Sequence, residues 1–135
     1  MSAASPFIDW ELQYNKEMDQ YTRDSYKWMY IDYFGTPDPD VEQMRACSAN
    51  HIVSEKTAPM FIWNTAEDGA VDPRHSLHLM EAMIAKNRPC EYHMFGEGPH
   101  GLALADGATK QSENDVNDIV AQWVPLAEKW IRKIV

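Results

Sequence analysis

Cysteine and long apolar runs are scarce in this chain of 135 residues. The two cysteines, Cys47 and Cys90, are too few for a disulfide scaffold or a zinc cluster, so we expect two free thiols in a reducing compartment. The sequence contains no run of 18 apolar residues, which argues against a membrane-spanning helix. Residues 1–7 lack the basic and apolar regions of a signal peptide, and we expect a cytoplasmic protein unless a leader precedes Met1.

Basic residues are also few. Twelve Lys and Arg stand against 21 Asp and Glu, which gives a formal net charge of −9. Binding to phosphate requires clustered Lys and Arg, so this balance argues against nucleic acid and anionic membranes as partners. The length is that of one domain, and a hydrophobic content of 44% is typical of a globular chain.

Glycine is scarce too, and its spacing excludes one motif and weakens another. No two of the six glycines are four residues apart, so the motif G-x-S-x-G is absent from these residues. The segment Gly96–Gly101 matches the dinucleotide fingerprint G-x-G-x-x-G by letter. We reject that match because Pro99 and His100 occupy its middle, no strong helix opens there, and no second strand ending in an acid follows.

The residues that are present predict alternating strands and helices. The short apolar run Pro59–Trp63 is typical of a strand buried on both faces of a parallel sheet, and Cys90–Phe95 is predicted as a second strand. A helix over 73–86 separates them, with Asp72 as its N-cap and Pro73 in its first position. A final helix is predicted over Trp123–Ile134, with five apolar residues on one face: Trp123, Ala127, Trp130, Ile131 and Ile134. The order predicts an α/β fold with two parallel strands.

Upstream of the first strand, the sequence predicts an aromatic-rich helical segment. Residues 9–34 have the apolar spacing of one or two helices. Val41–Ala46 is predicted as a short helix and Ser48–Thr57 as a polar connection. Four aromatic residues of this segment are compatible with lining a pocket or with packing in a core or a dimer: Tyr26, Trp28, Tyr30 and Tyr33. We therefore divide the single domain at about residue 58, into a cap-like segment (1–58) and a βαβα half (59–135).

The loops after the two predicted strands carry an acid and a histidine. Asp68 follows the first strand, and His100 follows the second. Since the carboxyl ends of neighbouring parallel strands meet at one edge of the sheet, the two side chains can come within hydrogen-bond distance. A carboxylate in that position fixes the tautomer of a catalytic imidazole.

At these loops the sequence resembles a known family. The segment Pro59–Pro73, PMFIWNTAEDGAVDP, is similar to the late strand and acid loop of the α/β-hydrolases, above all of their acetyl-esterase (acetylxylan-esterase-like) and prolyl-oligopeptidase-like branches. Glu91–Gly101, EYHMFGEGPHG, resembles their final strand and histidine loop. Ser5–Trp10 and Phe34–Asp38 resemble the stretch after their sixth strand, where cap elements are often inserted. The resemblance covers about residues 5–134 and implies a partial α/β-hydrolase fold.

The resemblance implies roles for particular residues. Asp68 becomes the acid of a Ser–His–Asp triad and His100 its base. Glu67 is a neighbouring acid and Asp72 the better N-cap. Asp68 is preferred because it stands directly before Gly69 and three residues before Val71, as in that family.

The absent G-x-S-x-G motif limits what the resemblance implies. In this fold the nucleophilic serine sits in that motif, between a strand and a helix. None of six serines can take its place, because all lack a strand–turn–helix setting: Ser5, Ser25, Ser48, Ser54, Ser76 and Ser112. We therefore expect the C-terminal part of an esterase-type serine hydrolase, inactive alone, that acts on a small ester when the serine-bearing half complements it. The alternative is a non-catalytic truncated hydrolase module that self-associates, as a homo-oligomer, or binds a partner chain.

The remaining histidines give no competing site. His75 and His78 lie three residues apart on a predicted helix, but a third metal ligand at a convincing spacing is lacking, so we expect surface or half-buried residues. His93 lies within a strand and is expected to pack, and His51 carries no signal. We expect neither a metal nor a cofactor.

Overall fold

Three parallel strands form a sheet in the part of the chain that the structure describes. A computed structural model describes residues 2–4, 6–110, 112 and 115–134. The strands lie in the order β1-β2-β3 and comprise Ser2–Ala4, Met60–Thr65 and Cys90–Phe95. The two predicted strands, β2 and β3, are therefore confirmed, and they pair in parallel from Met60 opposite Cys90 to Thr65 opposite Phe95. Strand β1 was not predicted and adds a third member beside β2.

The central strand β2 is buried on both faces, as its continuous apolar sequence predicts. Phe61 and Trp63 point to one face and Ile62 to the other, and all three are almost fully buried. The Trp63 ring stacks on Trp123, and Phe61 packs against Trp130, so the first face is covered by the C-terminal helix. The opposite face packs against the helix that joins β2 to β3.

The described residues contain six α-helices. In chain order, α1 to α6 are Trp10–Tyr14, Gln20–Phe34, Val41–Cys47, Ala49–Ile52, Arg74–Ala85 and Trp123–Ile134. The helices predicted within 9–34, at Val41–Ala46, at 73–86 and at Trp123–Ile134 are found within one or two residues of those bounds. The predicted polar connection Ser48–Thr57 is wrong in part, because α4 lies inside it.

The beginning of α5 differs by one residue from the prediction. Pro73, not Asp72, flanks the first helical residue, Arg74. Asp72 still acts on this turn, because its carboxylate accepts a hydrogen bond from the Arg74 backbone N–H at 2.9 Å and pairs with the Arg74 side chain. The guanidinium of Arg74 lowers the pKa of Asp72 to about 2.

The N-terminal segment forms a separate aromatic cluster around Trp10, Tyr30 and Met44. Tyr30 is buried there, whereas Trp28 and Tyr33 are exposed, so the four aromatic residues singled out in this region do not share one environment. Ser48 links two members of this cluster by hydrogen bonds. Its hydroxyl accepts a hydrogen bond from the Trp10 backbone N–H and donates one to the Met44 carbonyl.

A membrane-spanning helix is absent from the described ranges: none of the helices there has both the length and the apolar character to cross a bilayer.

Candidate functional site

The loops that follow β2 and β3 meet at the carboxyl edge of the sheet. Asp68 stands three residues beyond the end of β2, and His100 five residues beyond the end of β3. Hydrogen bonds at the base of the loops join them: the Thr65 hydroxyl donates to the Gly98 carbonyl at 2.6 Å, and Ala66 N–H donates to the Phe95 carbonyl at 2.8 Å. The loops are thus held in a fixed relation to each other.

This relation brings the side chains of Asp68 and His100 together. The Nδ1 atom of His100 lies 2.8 Å from Oδ2 of Asp68. The other carboxylate oxygen, Oδ1, accepts hydrogen bonds from the backbone N–H groups of Ala70 at 3.0 Å and Val71 at 2.8 Å. The Asp68 side chain is 0% exposed, while that of His100 is 43% exposed.

The arrangement has a defined chemical capacity. Two backbone N–H groups stabilise the ionised carboxylate of Asp68, because charge-assisted hydrogen bonds favour the charged form. A carboxylate is an acceptor, so its partner Nδ1 carries the proton and Nε2 is left as the basic nitrogen. Since the His100 ring reaches solvent, its Nε2 can take a proton from a group outside the loops. This is the geometry of an acid–base pair in acyl transfer.

The structure distinguishes Asp68 from the two acids near it in sequence. Glu67 approaches the Gly98 backbone N–H at 3.4 Å, and Asp72 is engaged with Arg74. It is Asp68 whose carboxylate lies at hydrogen-bond distance from His100 Nδ1. The preference for Asp68 thus agrees with the geometry, whereas its catalytic role stays a prediction.

The histidine loop depends on glycine at one position. Gly98 has a φ of +132°, and a Cβ atom built there would lie 2.7 Å from Cδ1 of Leu102 and 3.2 Å from Cγ2 of Thr65. The residues after Gly101 form turns and no helix opens there. This agrees with the rejection of the dinucleotide fingerprint, because that motif requires a helix at this place.

The expectation for His75 is wrong, and that for His78 is correct. His75 is 0% exposed, and its Nδ1 accepts the Asp9 backbone N–H at 2.9 Å. His78 is half-buried, and its Nδ1 lies 2.7 Å from Oδ2 of Asp9. His75 is buried because the N-terminal segment packs over α5. The contact joins Asp9 and His75, which are 66 residues apart in sequence. Across the described residues, no three His, Cys, Asp or Glu side chains are arranged to hold a metal ion.

Asp9 forms a second Asp–His pair that sequence reasoning missed. Its carboxylate accepts from the Leu12 backbone N–H and from the Asn50 amide. Burial by itself raises the pKa of Asp9, but the hydrogen bonds from Leu12 and His78 outweigh it and hold the pKa below its ordinary value. The pair borders an open cavity of about 610 Å³ that also contacts His51 and Glu81. The available signal was the N-cap position of Asp9 before α1.

His93 packs as expected. Its ring lies 5.3 Å from that of Phe61, and Nε2 is 2.9 Å from a carboxylate oxygen of Glu91. His51 is exposed on α4.

Comparisons with known proteins agree with this fold. A solved carboxylesterase from Lactobacillus plantarum, Cest-2923, superposes with a TM-score of 0.72 at 29% identity, over 98% of this chain and 43% of that protein. The acetyl ester-xyloside bifunctional hydrolase of Caldicellulosiruptor lactoaceticus matches at 35% identity with a TM-score of 0.60, over 72% of this chain and 32% of its own. Endo-1,4-beta-xylanase B of Butyrivibrio fibrisolvens is 33% identical over 69 residues, 51% of this chain and 11% of that protein.

The chain therefore spans less than half the length of each of these relatives. Its three parallel strands and flanking helices form part of an α/β-hydrolase fold. The model described as the prolyl oligopeptidase family matches residues 1–129, nearly the whole sequence. On these grounds the chain belongs to the prolyl oligopeptidase family.

Proposed function

We propose that this chain supplies the acid and the base of an esterase-type serine hydrolase. Asp68 is the acid, His100 is the base, and the nucleophilic serine comes from residues outside this sequence. The observation that carries the proposal is the 2.8 Å contact between His100 Nδ1 and Asp68 Oδ2, with Asp68 held by two backbone N–H groups and the imidazole open to solvent.

In the proposed reaction His100 works through its Nε2 atom. Nε2 takes the proton of the serine hydroxyl while the serine oxygen attacks the ester carbonyl, and it then returns that proton to the departing alcohol. The same nitrogen then takes a proton from a water molecule as the water oxygen attacks the acyl-enzyme carbonyl, and it gives this proton to the serine oxygen as the acid leaves. Asp68 remains ionised throughout and stabilises the imidazolium that forms in each half of the reaction.

The substrate that we propose is a small ester, such as an acetylated carbohydrate. The names of two relatives, a carboxylesterase and an acetyl ester-xyloside hydrolase, support this choice. The 135 residues alone have no G-x-S-x-G motif, so we expect no His100-dependent hydrolysis from them without the complementing part.

A fusion protein tests the proposal. The part of the Lactobacillus plantarum carboxylesterase that matches this chain is replaced by residues 1–135, and hydrolysis of a chromogenic acetate ester is measured. We expect turnover that falls at least about a thousandfold with His100→Gln or Asp68→Asn, as for triad residues in general. The control variants Glu67→Gln and His51→Gln should keep the rate. A folded, active fusion whose rate is the same with His100→Gln would contradict the proposal.

A second candidate is a non-catalytic module that self-associates. The observation that favours it is an apolar groove of about 400 Å³ on the outer side of α6, where Val124 and Ile131 are exposed. Sedimentation velocity of the 135-residue chain tests this candidate. A dimer that dissociates with Ile131→Glu would support it, and a stable monomer at micromolar concentration would contradict it.

A further inference from the structure

A buried glutamine on α1, Gln13, takes no part in the Asp68–His100 site described above. Gln13 is 1% exposed, and neither Oε1 nor Nε2 of its side chain has a hydrogen-bond partner among the described residues. Leaving a buried amide unpaired is unfavourable, so such groups are rare in folded proteins and point to a missing partner. The amide offers both an acceptor and two donors, and a suitable partner must therefore accept and donate.

Gln13 lines a cavity that reaches the acid loop. The cavity has a volume of about 380 Å³ and lies between the end of α1, the first turns of α2 and the residues Gly69 and Ala70. These two residues directly follow Asp68 in the chain. A space of this size is within the range of small-molecule sites, and its position is next to the proposed acid.

Polar side chains form most of the remaining lining of this cavity, together with the Tyr26 ring and the apolar side chain of Met18. The Asp19 carboxylate accepts from the backbone N–H of Thr22 at 2.9 Å and from its hydroxyl at 2.7 Å. These hydrogen bonds hold the pKa of Asp19 below its ordinary value. Tyr26 adds a half-buried ring, and Glu17 and Lys16 stand at the same cavity.

This combination fits a neutral sugar. Hydroxyl groups both donate and accept, which is what the Gln13 amide and a fixed carboxylate require together. An aromatic ring offers an apolar surface for the C–H face of a sugar. Two carboxylates against one ammonium disfavour an anionic ligand, and an alkyl chain would leave the amide unpaired.

We propose that the cavity between α1, α2 and the acid loop binds a neutral sugar ring, with Gln13 as its hydrogen-bonding anchor. The inference rests on the proposed function, because the sugar is then the alcohol part of the ester that His100 and Asp68 would hydrolyse. Gln13 determines specificity in this account and takes no part in the bond-breaking step.

The test is a binding experiment on the full 135-residue chain that needs no catalysis. Xylobiose is titrated into ¹⁵N-labelled protein, and the side-chain amide signals are followed by NMR. We expect the Gln13 amide signals to shift as xylobiose is added and to reach a plateau when the site is saturated. We expect Gln13→Met to weaken xylobiose binding at least tenfold. The control variant is Gln122→Met. Gln122 is an exposed glutamine that does not line this cavity, and its amide donates to the Asp118 carbonyl, so its replacement should leave binding unchanged. Equal binding by Gln13→Met, or no shift of the Gln13 signals, would overturn the inference.

Thermal unfolding of the same variants separates a binding role from a structural one. Without ligand, Gln13→Met should melt at a higher temperature than the wild type, because an unpaired buried amide is replaced by an apolar chain of similar length. A lower melting temperature together with unchanged sugar binding would show a purely structural amide and overturn the inference. If the variant does not fold, the titration of Gln13 signals in the wild type decides.

The same titration on His100→Gln distinguishes the two proposals. Sugar binding should survive this change, because Gln13 and His100 act on different parts of the substrate. If the fusion protein hydrolyses the ester in a His100-dependent way but the chain does not bind xylobiose, the sugar site is refuted and the proposed function is not. Binding of xylobiose in the absence of any His100-dependent hydrolysis would refute the proposed function alone.

Discussion

Buried His75 makes the stability of this protein depend on pH in a defined window. Its Nδ1 accepts the backbone N–H groups of Asp9 at 2.9 Å and Ile8 at 3.4 Å, so this nitrogen cannot carry a proton in the folded state. Burial lowers the pKa of His75 from 6.5 to about 4. The imidazole therefore stays neutral in the folded protein at a pH where it is already protonated in the unfolded chain.

The sign and size of the effect follow from that difference. Between pH 6.5 and about 4 the unfolded chain binds more protons than the folded one, so the free energy of unfolding falls as the pH falls. A pKa difference of about 2.5, at about 1.4 kcal/mol for each unit, corresponds to about 3 kcal/mol lost by pH 4. About 2 kcal/mol of this is lost between pH 7 and pH 5.

Urea unfolding at pH 7 and pH 5 measures this loss. Between pH 7 and pH 5 the paired carboxylates of Asp9 and Asp72 do not contribute to the loss. Their pKa values in the folded protein are lowered, so the stability that they provide is lost only below the ordinary aspartate pKa of 3.8. His75→Asn removes the titrating ring and keeps an acceptor near the position of Nδ1. The wild type should lose about 2 kcal/mol more than this variant, and the other histidines cancel in the comparison. Equal losses in both proteins would refute the reasoning.

Three further substitutions should each lower the free energy of unfolding in urea at pH 7. Asp68→Asn removes a charge held by backbone N–H groups and should cost about 2 kcal/mol. Ser48→Ala leaves the buried backbone N–H of Trp10 without its acceptor and should also cost about 2 kcal/mol. Gly98→Ala places a Cβ atom against Leu102 at a positive φ and should cost about 2 kcal/mol.

Each of these three has an outcome that contradicts it. Asp68→Asn as stable as the wild type would mean that the carboxylate is solvated rather than held by the loop. An unchanged Ser48→Ala would show that Trp10 N–H finds another acceptor. For the glycine, the control is Gly69→Ala, which has open space at its Cβ position and should be neutral. Equal effects at both glycines would contradict the account of the histidine loop.

The strands and helices with strong local patterns were predictable from the sequence. Strand β2 is a continuous apolar run, and α6 begins and ends at the predicted residues. Of the residues predicted on one face of α6, Ala127 and Trp130 are buried, whereas Ile131 and Ile134 are exposed. Helical spacing places apolar residues on one side, but only the partner layer decides how wide the buried stripe is.

The elements that were missed depend on contacts distant in sequence. Strand β1 is three residues long and has no alternating pattern, and its pairing with β2 defines it. The burial of His75 comes from the backbone of Asp9. By contrast, the pairing of Asp68 with His100 was predictable, because neighbouring parallel strands deliver their following loops to one edge.

The tautomer of His100 tests the central claim most directly. A long-range ¹H–¹⁵N NMR correlation on the 135-residue chain at pH 8, where an ordinary imidazole is neutral, shows which ring nitrogen carries the proton. We expect a proton on Nδ1, an unprotonated Nε2, and loss of this preference in Asp68→Asn. A dominant Nε2–H tautomer, or a ring unaffected by Asp68→Asn, would contradict the proposal that Asp68 holds His100 as a base.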